Sequence, residues 1–307
     1  MNSYSEPIAT PPGADPTDPL SPGTHTFTVR HGATLVEQRY HVAGRGPLCV
    51  AHSGGPGIGW EYLRMPHLER RMTMVYVEPV GTGASGRLAD PRDYTIATYC
   101  HFLHAVIRHL GHDKVALLGH SHGGFVAQRY ALDHLMQLSA LVLYDTSPVT
   151  GDDFWTAAVA ALQDFARLHA HERPEVTSFV DELTTRPEVD DDDGATAILR
   201  KIAPAYFHDY WGREADLAPG RAALRMYAAP AWGQEPPFDV RGELPGVTVP
   251  TLVVAGADDF ICGPRWARMI RERIPHGQLA VLERTGHLGH IERPEKFAAL
   301  VGDFLVD

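Results

Sequence analysis

The chain has 307 residues and a formal net charge of −11, and 44% of its residues are hydrophobic. This length suits one large globular domain or a domain with an insertion, and the acidic charge argues against a nucleic-acid or anionic-membrane surface. Three widely spaced cysteines form neither a disulfide framework nor a Cys-x-x-Cys metal site, and no apolar run approaches the ~20 residues of a membrane span. Because the N-terminus also lacks a basic region followed by an apolar one, we expect a cytoplasmic protein.

The predicted elements begin after a proline-rich arm. Residues 1–23 contain six prolines and few apolar side chains, which predicts a flexible segment. The next two runs predict strands joined at His31-Gly32 in an N-terminal hairpin, and beyond it short apolar strands alternate with helices. The predicted strands are 26–30, 34–42, 48–51, 72–77, 115–118, 138–144, 251–255 and 278–282, and the predicted helices are 60–71, 95–110, 125–132, 265–274 and 294–304.

This alternation predicts an α/β fold, with a mostly parallel sheet and helices on both faces. Residues 150–246 have helical patches but no apolar strand, so we interpret them as a helical cap over the carboxyl edge of the sheet, where ligands bind in open α/β sheets. The predicted domains are therefore an arm at 1–23, a core at 24–149 and 247–307, and a cap at 150–246. The acidic run 190–193 is expected to be a solvated turn, because it lacks the spaced ligands of a calcium loop.

A nucleophile elbow is predicted at Gly119-His120-Ser121-His122-Gly123. The pentapeptide lies between a predicted strand and a predicted helix, which is the context that a Gly-x-Ser-x-Gly elbow requires. Glycines two positions before and after the serine let neighbouring backbone pass close to it. The helix that follows aims its N–H groups at the point where negative charge would develop, so Ser121 is the predicted nucleophile.

The partners of a catalytic serine are expected further along the chain. A serine hydroxyl needs a base and a third group that orients the base, and after an elbow the order is serine, acid, histidine. The strand 251–255 runs into Asp258 and Asp259, which makes this turn the predicted source of the acid. The strand 278–282 leads to His287 and His290, one of which is the expected base.

With these motifs in order, residues 25–306 resemble an α/β-hydrolase, of a sub-type similar to proline iminopeptidases and related capped serine hydrolases. Those proteins carry a His-Gly-Gly-Pro-Gly loop, an Asp-x-x-Gly-x-Gly-x-Ser segment, the elbow, a Gly-x-x-Asp acid and a Gly-His base, and all five have counterparts here. The resemblance implies a triad of Ser121, Asp259 and His287. It also implies an oxyanion hole made by the backbone N–H groups of Gly55 and His122.

Other residues compete for some of these roles. Asp258 directly precedes Asp259, and Asp145 ends the sixth strand, a position that some members of this fold use for the acid. We interpret His290 as a pocket-rim or structural histidine. The side chain of His122 could line the pocket, although its backbone N–H is the firmer functional expectation.

The chain departs from the family pattern in two loops. Ser53 occupies the place of the leading histidine of the glycine-rich loop, and His52 lies one position earlier. The backbone donor of the oxyanion hole does not depend on that side chain. After the fourth strand, Glu78 and Val80 replace an aspartate and an arginine, which predicts the loss of a structural ion pair.

A third departure concerns the substrate. Phe260 follows the predicted acid where the iminopeptidases of the closest type carry a glutamate that holds the substrate's free amine. This counts against aminopeptidase activity, because a buried ammonium group needs an anion opposite it. Glu235 in the cap is an alternative residue that could supply this anion. The aromatic cap favours an apolar or ring-bearing substrate. The candidate pocket residues are Gly54, Phe260, Trp211 and Trp232.

These observations predict a cofactor-independent serine hydrolase that cleaves a small ester, lactone or amide through an acyl-enzyme. The alternatives are a proline iminopeptidase-type aminopeptidase and a non-hydrolytic or ligand-binding relative. The run 81–86 matches Gly-x-Gly-x-x-Gly, but Pro91 breaks any helix after it and His101 stands where an acid is needed, so no dinucleotide is expected. The 18 histidines show no metal-binding motif. The expected partner is a small-molecule substrate rather than nucleic acid or a membrane, and the oligomeric state is not predicted.

Overall fold

The computed structural model describes Ile8 and residues 17–185, 191–231 and 237–306. Its centre is an eight-stranded sheet in the order β1-β2-β4-β3-β5-β6-β7-β8. The first two pairings, β1 with β2 and β2 with β4, are antiparallel, and the others are parallel. The strands are β1 Gly23–His31, β2 Thr34–Gly44, β3 Leu48–His52, β4 Thr73–Glu78, β5 Val115–His120, β6 Leu138–Tyr144, β7 Thr251–Gly256 and β8 Gly277–Leu282.

The helices cover both faces of this sheet, which confirms the predicted α/β fold. They are α1 Pro66–Glu69, α2 Ile96–His109, α3 His122–Asp133, α4 Asp152–His169, α5 Phe179–Thr185, α6 Asp192–Ile202, α7 Glu214–Ala223, α8 Ala228–Ala231, α9 Pro264–Arg271, α10 Gly289–Glu292 and α11 Pro294–Val306. None of the helices in the described ranges is both long and apolar enough to cross a membrane.

Strand residues alternate between two apolar clusters, one on each side of the sheet. Val50 and Leu117 pack with α2, α3 and α9 in the first cluster. Their neighbours Ala51 and Leu118 pack with α1 and α11 in the second. Because both faces of the sheet are buried, the central strands are continuously apolar, and this pattern makes them recognisable in the sequence.

Two predicted segments differ from the structure. The helix predicted over 60–71 is a short 3-10 turn at Glu61–Leu63 followed by α1. Pro66 explains the break, because proline disfavours helical backbone at the residue before it and is itself suited to a first helical position. The acidic run begins a helix instead of forming a turn: the Asp191 side chain accepts the N–H of Gly194 and caps α6, while Asp190 lies outside the described residues.

Part of the predicted arm is in contact with the sheet. Residues 1–7 and 9–16 lie outside the described residues. The hydroxyl of Tyr40 on β2 donates to the carbonyl of Pro19 at 3.0 Å, and Ile8 packs against the second apolar cluster. The last residues of the arm are therefore held against the core.

Glu78 keeps an ionic partner that the family pattern does not indicate. Its Oε2 lies 2.9 Å from Nε2 of His41 on the neighbouring strand β2, and its Oε1 accepts the N–H groups of Ala84 and Ser85, each at 2.6 Å. Burial alone would raise the pKa of Glu78, but these hydrogen bonds lower it below the ordinary value. At this position the carboxylate of Glu78 is therefore hydrogen-bonded by His41 instead of by the arginine of the family pattern.

Between β6 and β7 lies a region that we call the helical segment, residues 150–246, of which 186–190 and 232–236 are not described. It contains α4 to α8. Two of its loops reach the carboxyl edge of the sheet: the carbonyl of Tyr206 accepts the N–H of His287 at 2.7 Å, and Tyr227 N–H donates to Gly57 at 2.8 Å. This segment therefore stands over the edge at which the candidate site is found.

Candidate active site

Ser121 lies at the turn between β5 and α3 in a strained conformation. Its backbone has φ 55° and ψ −121°, a region that non-glycine residues rarely occupy. Hydrogen bonds hold it there: its N–H donates to Tyr144, and its carbonyl accepts the hydroxyl of Thr146 at 2.8 Å. The end of β6 and the residues after it thus hold the strained backbone of Ser121 in place. This conformation directs the serine side chain toward a cleft.

The two glycines of the elbow are required by close packing. A Cβ atom at Gly119 would lie 2.3 Å from the carbonyl oxygen of Gly123. A Cβ atom at Gly123 would lie 2.4 Å from the carbonyl oxygens of His52 and Ser53. Strand β5, helix α3 and the loop after β3 therefore meet at distances that only glycine allows.

The structure brings His287 and Asp259 together. His287 follows β8 and Asp259 follows β7, and Nδ1 of the histidine lies 2.7 Å from Oδ2 of the aspartate, with both side chains buried. The other oxygen, Oδ1, accepts the N–H groups of Ile261 and Cys262. Asp258 points elsewhere: its carboxylate lies 2.8 Å from Nδ1 of His208 in the helical segment.

Ser121 and His287 line the same cleft, which encloses about 60 Å³. The described hydrogen bonds do not join Ser121 Oγ to the His287 ring; in sites without substrate this contact often forms only on binding. No carboxylate and no guanidinium occurs among the described residues of the lining. These are Gly54, Gly55, Ile58, Tyr62, His120, Ser121, Leu199, Tyr206, Leu224, Ile261, His287 and Leu288.

The groups expected to form an oxyanion hole flank this cleft. Gly55 lines it. His122 is the first residue of α3, where a backbone N–H has no partner within the helix. Gly54 also lines the cleft, but its N–H donates to the hydroxyl of Tyr62 at 2.7 Å. Gly55 is therefore the better-placed second donor.

A hydrogen-bonded chain that the sequence did not reveal links three loops of the site. The Tyr62 hydroxyl lies 2.6 Å from Nδ1 of His120, and Nε2 of His120 lies 2.9 Å from the carbonyl oxygen of His287. A carbonyl can only accept, so Nε2 of His120 carries a proton and Nδ1 accepts from Tyr62. Burial, with His287 and His290 nearby, holds the pKa of His120 well below its ordinary value, so the ring is neutral. The Gly54 N–H is thereby connected through Tyr62 and His120 to the backbone of His287.

A second carboxyl group lies behind the histidine. Asp145 is fully buried with φ 44°, and its Oδ1 accepts the N–H of Gly256 at 2.7 Å. One of its oxygens lies within 4.8 Å of ring nitrogens of His120 and His287. Burial and the nearby Asp259 raise the pKa of Asp145 well above its ordinary value. Its surroundings therefore disfavour the charged form of this carboxyl group.

The other histidines near the site pack within the core. His290 is buried between Tyr144, whose hydroxyl lies 3.0 Å from its Nδ1, and the carbonyl of Tyr62, 2.8 Å from its Nε2, which makes it structural. The His122 ring is buried edge-on against Tyr99, and its Nε2 has no hydrogen-bond partner among the residues described. Burial and His52 lower the pKa of His122 to about 3, so its side chain carries no charge.

The structure separates the candidate pocket residues. Gly54 lines the cleft, whereas Phe260 lies behind it and packs edge-on against Tyr206, with ring centroids 4.9 Å apart. Trp211 lies in a different cavity, and Trp232 and Glu235 fall outside the described residues. The lining residues that sequence reasoning missed include Leu199 and Leu224, because helical spacing does not reveal which face of a segment meets the cleft.

Two groups of potential metal ligands share His287: one adds His120 and Asp145, the other Asp259 and Cys262. Hydrogen bonds already occupy both ring nitrogens of His120 and Nδ1 of His287. Burial and the carboxylates of Asp259 and Asp145 raise the pKa of the Cys262 thiol well above its ordinary value, which disfavours the thiolate that a metal would need. The donor set therefore suits an internal hydrogen-bond network better than a metal.

The chain is similar to known proteins over most of its length. The chain is 27% identical over 288 residues to a 2-hydroxymuconate semialdehyde hydrolase of Pseudomonas sp. (strain CF600), with 90% of this chain and 92% of that protein covered. It is 24% identical over 305 residues to a proline iminopeptidase of Lactobacillus crispatus (strain ST1), covering 88% and 94%. The solved structure of an alpha/beta fold family hydrolase from Bacillus anthracis str. Sterne matches with a TM-score of 0.71 at 18% identity, covering 92% of this chain and 99% of that one.

The predicted resemblance to proline iminopeptidases is thus confirmed. The family model described as alpha/beta hydrolase fold matches residues 47–294, which is most of the chain. This protein is a member of the α/β-hydrolase fold family.

Proposed function

We propose that this protein is a cofactor-independent serine hydrolase that cleaves a small ester, lactone or amide through an acyl-enzyme. The observation that carries the proposal is the strained Ser121 beside the hydrogen-bonded pair of His287 and Asp259, all at one edge of the sheet. A nucleophile, a base and a group that orients the base are the parts that acyl transfer requires.

The reaction follows from these positions. Ser121 Oγ attacks the substrate carbonyl while Nε2 of His287 takes its proton, and Asp259 stabilises the resulting imidazolium through Nδ1. The backbone N–H groups of Gly55 and His122 bind the oxyanion. The imidazolium then protonates the leaving group, and the acyl chain remains on Ser121. A water molecule, deprotonated by His287, attacks the acyl-enzyme and releases the acid.

The cleft favours a neutral acyl group. Its described lining is apolar apart from the reacting groups and the Tyr62, Tyr206 and His120 side chains, and its volume of about 60 Å³ accommodates only a small group. A substrate carboxylate or ammonium would be desolvated there without a partner among these residues. Short-chain esters and lactones are therefore the substrates that fit best.

A second candidate function is removal of N-terminal proline, because several relatives are named proline iminopeptidase. Against it, Phe260 occupies the place of the amine-binding glutamate, and the described lining supplies no anion. A proline arylamide and its N-acetylated form separate the two functions. An aminopeptidase prefers the free amine, whereas an esterase of neutral acyl groups shows no such preference.

The test is covalent labelling with a fluorophosphonate, read by intact mass and peptide mapping. We expect one adduct, on Ser121, that disappears in Ser121→Ala and persists in the control Ser139→Ala, whose serine is exposed on β6. Activated short-chain esters should be turned over by the native protein and by the control but not by Ser121→Ala. A folded native protein that takes no label and turns over no ester would overturn the proposal and favour a non-hydrolytic relative.

A further inference from the structure

A second cavity, of about 330 Å³, lies on the helical segment and shares no lining residue with the cleft of Ser121. Four cationic side chains line it: Arg173, Arg200, Lys201 and Arg221. Among the described residues of the lining, two carry carboxylates, Glu175 and Glu214. The lining therefore has an excess of positive charge, although the chain as a whole has a net charge of −11.

The three arginines have no carboxylate partner among the residues that the structure describes. Arg200 donates to the carbonyl oxygens of Leu224 and Ala222, and Arg221 donates to the carbonyl of Arg200 at 2.7 Å. Elsewhere in the chain, arginines commonly pair with acids, as in the pairs Arg39–Glu37, Arg64–Glu69, Arg87–Asp192, Arg129–Asp133 and Arg241–Asp239. Lys201, the fourth cation of the cavity, pairs with Glu182.

Aromatic rings hold two of these guanidinium groups in place. Arg173 lies over Trp211, with Cζ 5.4 Å from the ring centroid, and Arg221 lies over Tyr210 at 5.5 Å. Trp211 is itself stacked on Phe165. Such contacts fix the direction of a guanidinium while leaving N–H groups available for an oxyanion. The cationic groups are therefore oriented before any ligand arrives.

The arrangement is electrostatically unfavourable in the absence of an anion. Burial lowers the pKa of Arg200, and the neighbouring Arg225 and Arg221 lower it further. Like charges held close together repel, and a bound anion relieves this repulsion. Guanidinium groups bind phosphate oxygens through paired, charge-assisted hydrogen bonds.

We propose that this cavity is a binding site for a phosphate group, either free or as the terminal group of a phosphate monoester. Counting Glu182, which pairs with Lys201, four cations face three carboxylates among the described residues, so an excess of positive charge remains for an anion. Arg173, Arg200 and Arg221 supply the guanidinium groups, and Lys201 adds a point charge at the rim.

The site lies directly behind a wall of the catalytic cleft. On α6, Leu199 lines the cleft, whereas the next residues, Arg200 and Lys201, line the second cavity. In the loop that follows, Tyr206 lines the cleft and Pro204 the cavity. A bound phosphate therefore steadies the two stretches of chain that carry the cleft wall.

Isothermal titration of the full chain with inorganic phosphate, at ionic strength balanced with sodium chloride, tests the proposal. We expect saturable binding of one phosphate per chain. Arg173→Gln should weaken it roughly tenfold, because one charge-assisted contact is lost. The matched control is Arg268→Gln, an exposed arginine on α9 that does not line the cavity, and it should bind as the native protein does. Arg173 is exposed, so its replacement leaves the fold intact.

Phenyl phosphate distinguishes the two sources of the ligand. If phenyl phosphate binds more tightly than inorganic phosphate, the ligand is a phosphate monoester with an apolar ring. If the two bind with equal affinity, the ligand is the free ion. Both results support the site. The proposal is overturned if phosphate gives no saturable heat beyond that of chloride. It is equally overturned if Arg173→Gln and Arg268→Gln bind phosphate as the native protein does.

Discussion

At the scale of single residues, two carboxyl groups lie close to the same histidine in different surroundings. Asp259 accepts a hydrogen bond from Nδ1 of His287 and two from backbone N–H groups. Asp145 accepts one backbone N–H, and its Oδ2 has no hydrogen-bond partner among the described residues. The acid that orients the histidine must contact its ring, so the hydrogen bond to Nδ1 of His287 favours Asp259 for that role.

Two asparagine variants test this assignment. We expect Asp259→Asn to lower kcat/KM for an activated ester by about 10³ to 10⁴, since the histidine loses the charge that stabilises its protonated form. Asp145→Asn should lower it less than roughly tenfold, because asparagine tolerates left-handed backbone and keeps an acceptor for the Gly256 N–H. Steady-state turnover of both variants provides the measurement. The assignment fails if Asp145→Asn loses activity as severely as Asp259→Asn.

The sequence indicates which segments contribute to the site more clearly than it indicates which side-chain atoms contact one another. Ser121 and His287 are placed by local motifs, because an elbow and a Gly-His loop are recognisable from a few adjacent residues. Asp258 and Asp259 are adjacent and chemically identical, and what separates them is His208, fifty residues earlier in the chain. The raised pKa of Asp145 likewise depends on burial that no local sequence pattern indicates.

At the scale of elements, the loop after β3, the end of β5 and the loop after β8 are joined by Tyr62 and His120. The chain of hydrogen bonds runs from the Gly54 N–H to the His287 carbonyl. Each step is at most 2.9 Å long and buried, where a hydrogen bond is electrostatically stronger than in water. The oxyanion loop and the base loop are therefore held in a fixed relation to each other.

Removing one hydroxyl interrupts this connection. We expect Tyr62→Phe to lower kcat about tenfold with little change in KM, because a misplaced oxyanion donor weakens transition-state binding more than substrate binding. Steady-state kinetics with an activated ester would measure kcat and KM separately. Tyr94→Phe is a matched control, since that hydroxyl also accepts a backbone N–H, from Leu88, but lies outside the cleft lining. Equal kcat values for Tyr62→Phe and Tyr94→Phe would show that the connection has no catalytic effect.

Elements with a strong apolar pattern were predictable, and those set by a single residue were not. The central strands are buried on both faces, so their composition alone identifies them. The break before α1 depends on Pro66, and the start of α6 depends on the capping carboxylate of Asp191. The orientation of the helical segment could not be predicted from the sequence, because tertiary contacts decide which of its faces lies against the cleft.

At the scale of the whole molecule, buried carboxyl groups and buried histidines together determine how stability varies with pH. Glu292 is 3% exposed and accepts the N–H groups of Gly286 at 2.6 Å and His208 at 2.9 Å, which links the base loop to the helical segment. Burial raises the pKa of Glu292 to about 7, and burial also raises the pKa of Asp145 and Glu61. Glu78 has a lowered pKa, so its stabilising effect is lost only as the pH falls below its ordinary value of 4.5.

Between pH 4.5 and about 7 the folded protein keeps a proton on Glu292 that the unfolded chain has lost, so the contribution of Glu292 to the free energy of unfolding must fall as the pH rises through this window. This fall amounts to up to about 3 kcal/mol. The buried His52, His120, His122 and His290 have lowered pKa values and act in the opposite direction below their ordinary pKa of 6.5, because there the unfolded chain binds their protons more tightly. We expect Glu292→Gln, which cannot ionise, to make the slope of unfolding free energy against pH more positive between pH 4.5 and about 7, whereas Glu295→Gln, at an exposed position on α11, should leave the slope as in the native protein. Urea unfolding followed by circular dichroism at pH 5, 6, 7 and 8 measures the slope, and an unchanged slope in Glu292→Gln would mean that Glu292 is ionised in the folded protein throughout this range.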